Sequence, residues 1–268
     1  MRANEQAADA AAHRERRKDP WAVLAVDVET HGWPDSFTRQ PNHRGQFGKL
    51  RWGNVCDNID FARIVQIGWC AFATNGEVLE QMELCISGGP PCQQRAVDVH
   101  GLTDAVLAER GMPLADALQD FSSALRRLQQ DSGILVAHLL EADGGLLDAE
   151  LRRVGATEDA ALLAQLATDG ICTMQAAAAQ QIFRGRGTAA ASLAPRSDDQ
   201  LRHSFNHRLY AITLSNACRM YGVVKPAESD GYRAHNALFD AEVAGRLYFA
   251  MRGIAYTGAP RPVLRCAG

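Results

Sequence analysis

WAVLAVDVE (21–29) is a continuous apolar run that ends in two acids separated by one valine. It predicts a central strand covered on both faces, because a strand with one wet face would alternate apolar and polar residues. Side chains alternate sides along a strand, so Asp27 and Glu29 point the same way. Two like charges at the end of a buried strand repel each other and are costly to desolvate. A divalent cation removes both costs. Taken alone, the pattern also fits a strand end that turns polar where it meets water.

Outward from this strand the pattern alternates. Residues 32–62 are polar, with Gly, Pro and Asn, and read as a long loop. RIVQIGWCAFAT (63–74) and EVLEQMELCIS (77–87) read as two strands, and Asn75-Gly76 between them is a hairpin signal. GGPP (88–91) breaks the chain, and helices are expected over about 98–110 and 113–130. GILVAH (133–138) reads as a buried strand, followed by an amphipathic helix over 141–155 and another over 158–167. GICTM (170–174) reads as a short strand entering a helix over 174–184. Residues 185–210 are mixed and read as a second insertion. TLSNACRMYG (213–222) reads as a helix closed by Gly222, and HNALFDAEVAGRLYFAMRG (235–253) as the clearest helix. A strand hairpin followed by alternating strands and helices defines an α/β class with a mixed sheet. The expected organisation is a tail over 1–19, flexible or helical, one folded domain over 20–253 and a surface tail over 254–268.

Composition narrows the function classes. The 268 residues carry 28 Lys+Arg and 31 Asp+Glu, a net charge of −3. An apolar fraction of 47% excludes disorder along the whole chain. No run approaches the roughly 18 apolar residues that a membrane helix needs. Without a basic excess, a nucleic-acid partner would have to be held by a local site or a metal. The seven cysteines are odd in number and form no C-x-x-C pair, as expected of reduced thiols in a reducing compartment, cytoplasm or nucleus. Residues 1–19 are rich in Ala and Arg but lack the apolar core of a secretory signal; import into an organelle stays open.

Two more acids need a reason. Asp240 lies on the apolar stripe of the last helix, three residues after Ala237 and four before Ala244. An acid on such a stripe is uncommon unless it pairs or binds a metal. Asp143 follows a buried strand at a helix start, where the helix dipole alone also favours an acid. His235 stands at the entrance of the last helix, as a cap, a core histidine or a reactive group. Four acids from three elements, with one imidazole, are a set able to hold two cations roughly 3.5–4 Å apart across a phosphoryl group. Oxygen ligands favour Mg²⁺ or Mn²⁺ over zinc. An imidazole, which titrates near neutrality, suits activation of an attacking water.

These residues resemble the motifs of the DEDDh 3′-to-5′ exonucleases, which include bacterial polymerase proofreading subunits, RNase T and oligoribonuclease. VDVETHG (26–32) is similar to the first motif, RIVQIG (63–68) to the second strand and VHGLT (99–103) to the H-G-I-T segment. AHLLEADGGLLDAEL (137–151) is similar to the second acid motif, and HNALFDAEVAGRLY (235–248) to H-x-A-x-x-D. The resemblance spans about residues 21–252. It implies a ribonuclease-H-like fold with a five-stranded mixed sheet flanked by helices, and metal-dependent release of nucleotides from 3′ ends of single-stranded DNA or RNA. By position it implies that Asp27, Glu29, Asp143 and Asp240 bind two Mg²⁺ (or Mn²⁺), with His235 as general base. Thr30, His31, Gly32 and His100 would contact the terminal nucleotide. A homodimer and a polymerase-bound proofreading subunit are the assemblies found among such relatives.

The second acid motif departs from the family. Leu139 stands where Asn usually follows the motif's His, and Ala142 where an aromatic precedes the Asp. Looser packing around Asp143 is expected, and a domain that binds nucleic acid without turnover is the alternative reading. The loop over 33–62 holds Arg39, His43, Arg44, Lys49, Arg51 and Trp52, which suit either a strand-binding lip or a solvated loop.

Overall fold

In a computed structural model of the chain, residues 19–34, 61–185, 197–202, 212–225, 228 and 233–254 are described. Arg39, His43, Arg44, Lys49, Arg51 and Trp52 of the first insertion, most of the second insertion, and the tails at 1–18 and 255–268 lie outside the described residues. β1 (Val23–Thr30) runs through the middle of the sheet, and its first four residues are buried on both sides. β2 (Ile64–Phe72) pairs with it antiparallel, and β3 (Val78–Ser87) pairs antiparallel with β2. The expected Asn75-Gly76 turn joins them. Gly76 takes a φ of 82°, and the Ala73 and Glu77 backbones close the hairpin at 2.8 Å.

β4 (Met112–Pro113) adds to β3 in parallel, while β5 (Ile134–Ala137) and β6 (Ile171–Cys172) extend the other side of β1 in parallel. The described sheet therefore has six strands in the order β4-β3-β2-β1-β5-β6, not the five expected. The extra strand is two residues long and contains a proline. No sequence period marks it, and only its pairing with Ile86 and Ser87 makes it a strand.

The helices are α1 (Gln94–His100), α2 (Asp104–Arg110), α3 (Leu114–Gln130), α4 (Leu140–Arg153), α5 (Thr157–Thr168), α6 (Thr173–Gly185), α7 (Asp198–Arg202), α8 (Leu214–Tyr221) and α9 (Ala237–Met251). The single helix expected over 98–110 is two. Gly101 closes α1 in the left-handed region at φ 79°, and the Thr103 hydroxyl caps α2 by accepting from the Val106 amide. Gly222 closes α8 at φ 65°, as expected.

Alternation along β1 sorts the core into two layers. Leu24, Val26 and Val28 face α3, α4 and α5, where Phe121, Leu147 and Leu163 are buried. Val23 and Ala25 face α9 and α6, where Leu247, Phe249 and Ala177 are buried. Continuing that alternation, Asp27 and Glu29 fall on the α9 side. The first turn of α9 rests directly on the sheet at Gly68, the β2 residue opposite Asp27. A Cβ at Gly68 would overlap the Ala237 and Leu238 backbone, so only glycine lets the helix come down there. Gly68→Ala should lower the urea midpoint by the equivalent of about 3 kcal/mol, the upper end of ordinary overpacking, because backbone rather than a side-chain tip must move. Unchanged stability in equilibrium unfolding would show that α9 is free to slide.

Candidate active site

Three elements deliver the four carboxyl groups. β1 supplies Asp27 and Glu29 at its half-buried end. α4 supplies Asp143 from its first turn, 7% exposed. α9 supplies Asp240, also in the first turn. The helix starts two residues later than expected. Asn236 is its N-cap, with its side-chain oxygen accepting from the Phe239 amide at 3.0 Å. His235 therefore sits on the turn before the helix, exposed, in the left-handed region at φ 63°. That turn is held from below: the His235 backbone N–H donates to Asp240 Oδ2 at 2.9 Å. Ligand atoms of Glu29, His235 and Asp240 lie within 4.8 Å of one another.

Electrostatics single out the cluster. Burial pushes the Asp27 and Glu29 carboxyls well above the usual range, and their acidic neighbours push them further. Asp27 feels Asp143, Asp240 and Glu29; Glu29 feels Asp240 and Asp143. Burial raises Asp143 to about 7, against the pull of the Leu139 and Val28 backbone amides. Burial raises Asp240 too, offset by the His235 backbone bond, His235 itself and Lys225. Asp143 Oδ2 is fully buried and accepts no hydrogen bond. A buried carboxylate oxygen without a donor is costly unless a cation meets it. Oxygen donors, mutual repulsion and the orphaned Asp143 oxygen fit a hard divalent cation such as Mg²⁺ or Mn²⁺.

The residues expected at the terminal nucleotide build the adjoining loop. Thr30 is buried, and its carbonyl receives His100 Nε2 at 3.2 Å. His100 Nδ1 accepts from the Leu102 amide at 2.9 Å, which places the ring proton on Nε2. The His31 ring is buried and accepts from the Arg63 amide at 3.0 Å. Gly32 has φ 145°, and a Cβ there would overlap the Gln93 side chain. His100 is thus bonded through both ring nitrogens and His31 through Nδ1, and both brace the loop. Arg63 in turn is held by Glu150, a fully buried acid on α4, at 2.8 Å. Sequence reading matched Glu150 only as part of a motif; an acid among the buried positions of α4 was the signal for its ion pair.

The departures in the second motif do not open the site. Ala142 is buried in the main core, and Leu139 packs against it. What Leu139 cannot supply is a cap, and α4 starts without a side-chain hydrogen bond. The motif's His138 is structural. Its Nδ1 meets the Thr173 hydroxyl at 3.0 Å, its Nε2 donates to the Ile212 carbonyl at 2.8 Å, and burial lowers it to about 4.

No protein-family model matches the chain, and no curated protein matches it at a significant level. Solved structures do resemble it. E. coli exonuclease I in complex with a 5cy-dT13 oligonucleotide aligns with TM-score 0.55 and 14% identity, covering 88% of this chain and 41% of that one. The chain thus spans about two fifths of exonuclease I. The nuclease domain of 3′hExo, a DEDDh family member bound to rAMP, aligns with TM-score 0.52 and 11% identity, covering 87% of this chain and 91% of that one. S. pombe Pop2p in its Mg²⁺- and Mn²⁺-bound form aligns with TM-score 0.51 and 14% identity, covering 94% and 90%. The chain thus shares the fold of exonuclease I and of the 3′hExo nuclease domain, a mixed sheet flanked by helices.

The raised carboxyls make a pH prediction. A group whose folded value lies above its unfolded one favours folding at low pH. That contribution is lost as pH climbs from the unfolded value, 3.8 for Asp143, through the folded value of about 7. A bound cation cancels the loss. Mn²⁺ added to chelated protein should therefore raise Tm more near neutrality than in mild acid. An equal shift at both pH values in scanning calorimetry would argue that these carboxyls do not hold the ion.

Proposed function

We propose that the protein is a metal-dependent 3′-to-5′ exonuclease that releases nucleoside monophosphates from single-stranded DNA or RNA ends. The observation that carries this reading is the convergence of Asp27, Glu29, Asp143 and Asp240 beside an exposed His235, with one buried carboxylate oxygen left without a donor. The likeness in fold to exonuclease I with an oligonucleotide and to 3′hExo with rAMP supports it.

Asp27, Glu29, Asp143 and Asp240 would hold two Mg²⁺ or Mn²⁺. When bound, the ions would stabilise the charge that develops on the scissile phosphate and lower the pKa of a bound water. The carboxylates set where the phosphodiester can sit. His235 takes the proton from the attacking water. Its turn projects it to solvent, while its backbone bond to Asp240 keeps it beside the ligand set. The Thr30–Gly32 loop, braced by His100 and Arg63, seats the terminal nucleotide. A homodimer or a polymerase complex would use the same site; solution mass and co-purification test each.

The test is a time course on 5′-labelled DNA and RNA oligonucleotides with Mg²⁺, Mn²⁺ or EDTA. A ladder shortening from the 3′ end, abolished by EDTA and by Asp240→Ala, is expected. His235→Ala should lose on the order of 10²–10⁴ in rate, the usual weight of a general base. Undiminished activity in the Asp240 variant would refute the assignment. Binding without shortening would identify a nucleic-acid-binding module instead.

A further inference from the structure

The turn that carries His235 and Asp240 is tied to the sheet by a chain of buried polar groups. Gln66 is fully buried in β2, a strand buried along its whole length. A buried amide is costly unless both of its ends are bonded. Gln66 Oε1 accepts from the Ala237 backbone N–H at 2.8 Å, one of the donors that a helix start leaves unsatisfied. Gln66 Nε2 donates to Glu83 Oε1 in β3 at 2.6 Å. The same Glu83 oxygen accepts from Asn236 Nδ2 at 2.8 Å. The loop of bonds closes on the residue between His235 and Ala237.

Asn236 therefore does two separable things. Its Oδ1 caps α9, which Asp or Ser would do equally well. Its Nδ2 reaches a carboxylate on another strand, which capping does not require. A largely buried acid is spent on that second bond. Because the His235 amide is bonded to Asp240, moving Asn236 moves a proton-accepting group and a metal-holding group together. At Gly68, directly across from Glu83, the turn comes down on backbone, and the Gln66 and Glu83 side chains beside it carry its polar contacts to the sheet. Packing seats the helix on the sheet, and these hydrogen bonds tie its first turn there.

We propose that Gln66, Glu83 and the Asn236 amide nitrogen form a positioning relay that places His235 and Asp240 as a unit over Glu29. The relay rests on the exonuclease reading for its consequence, and on the hydrogen bonds for its existence. None of the three residues touches the reacting atoms. They act through the turn, so their loss weakens turnover and metal retention while leaving substrate capture by the Thr30–Gly32 loop in place.

Asn236→Asp keeps the cap oxygen and replaces the tether nitrogen with an oxygen facing Glu83. With a single-stranded oligonucleotide and Mn²⁺, kcat should fall on the order of 10–100-fold, as for a small misplacement of reacting groups. Half-saturating Mn²⁺ should rise about 10-fold, and KM should stay within about twofold. Adding Glu83→Gln restores a donor opposite the new oxygen and should recover most of the kcat and Mn²⁺ affinity. A merely structural role would lower Tm without this split or this rescue. Unchanged kcat and Mn²⁺ dependence in Asn236→Asp, or a loss that Glu83→Gln fails to reverse, overturns the relay. Should Asn236→Asp not fold, Gln66→Met, similar in volume but without either hydrogen bond, must show the same kcat and Mn²⁺ changes or the relay is refuted. If the unaltered protein hydrolyses no substrate, the exonuclease reading fails. The relay is then decided by Mn²⁺ calorimetry on the same variants, where an unchanged Kd refutes it.

Discussion

Four carboxyl groups brought into one partly buried site repel one another and give up hydration, and the surrounding structure is arranged to bear that cost. Asp27 and Asp143 are driven upward by burial and by their acidic neighbours. Left to local preference, each would turn toward water. β1 cannot let this happen, because its apolar residues are locked between two core layers and fix which side Asp27 and Glu29 face. α4 cannot release Asp143, because its following residues are buried for most of the helix. The free energy of two hydrophobic layers is thus what holds the charges in place.

Two glycines let the third element join. α9 approaches the sheet at Gly68 and again at Gly245, where a side chain would run into the Phe72 ring. Between these points the helix lies along β1 and β2, which brings Asp240 level with Glu29. Capping by Asn236 and the bond from His235 to Asp240 then define the turn. The same economy appears on the loop side, where Glu150 grips Arg63 and the Arg63 backbone grips His31. In each case a hydrogen bond between distant segments fixes the orientation of the residue it holds.

The place of the cluster in the fold decides what surrounds it. The cluster sits where β1 ends and two helices begin. The histidine stands on the open side.

Much of this was legible in the residues. The apolar runs at 21–29, 63–74 and 133–138 marked the strands, because a doubly covered strand needs no alternation. Gly222 and Asn75-Gly76 marked stops and turns by their tolerance of positive φ. Asp27, Glu29 and Asp240 stood out as acids in apolar company. Other features depended on partners far away in sequence. β4 exists only through pairing with Ile86 and Ser87, and the rings of His31 and His100 became internal braces only once Arg63 and Thr30 were beside them. His235 left the helix because Asn236 takes the cap and Gln66, 171 positions earlier than Ala237, takes the first amide. Local pattern determines where a segment can be strand or helix and which face is apolar. Which polar atoms meet across the fold is decided by packing, since a hydrogen bond needs both partners in place and the sequence states only one at a time.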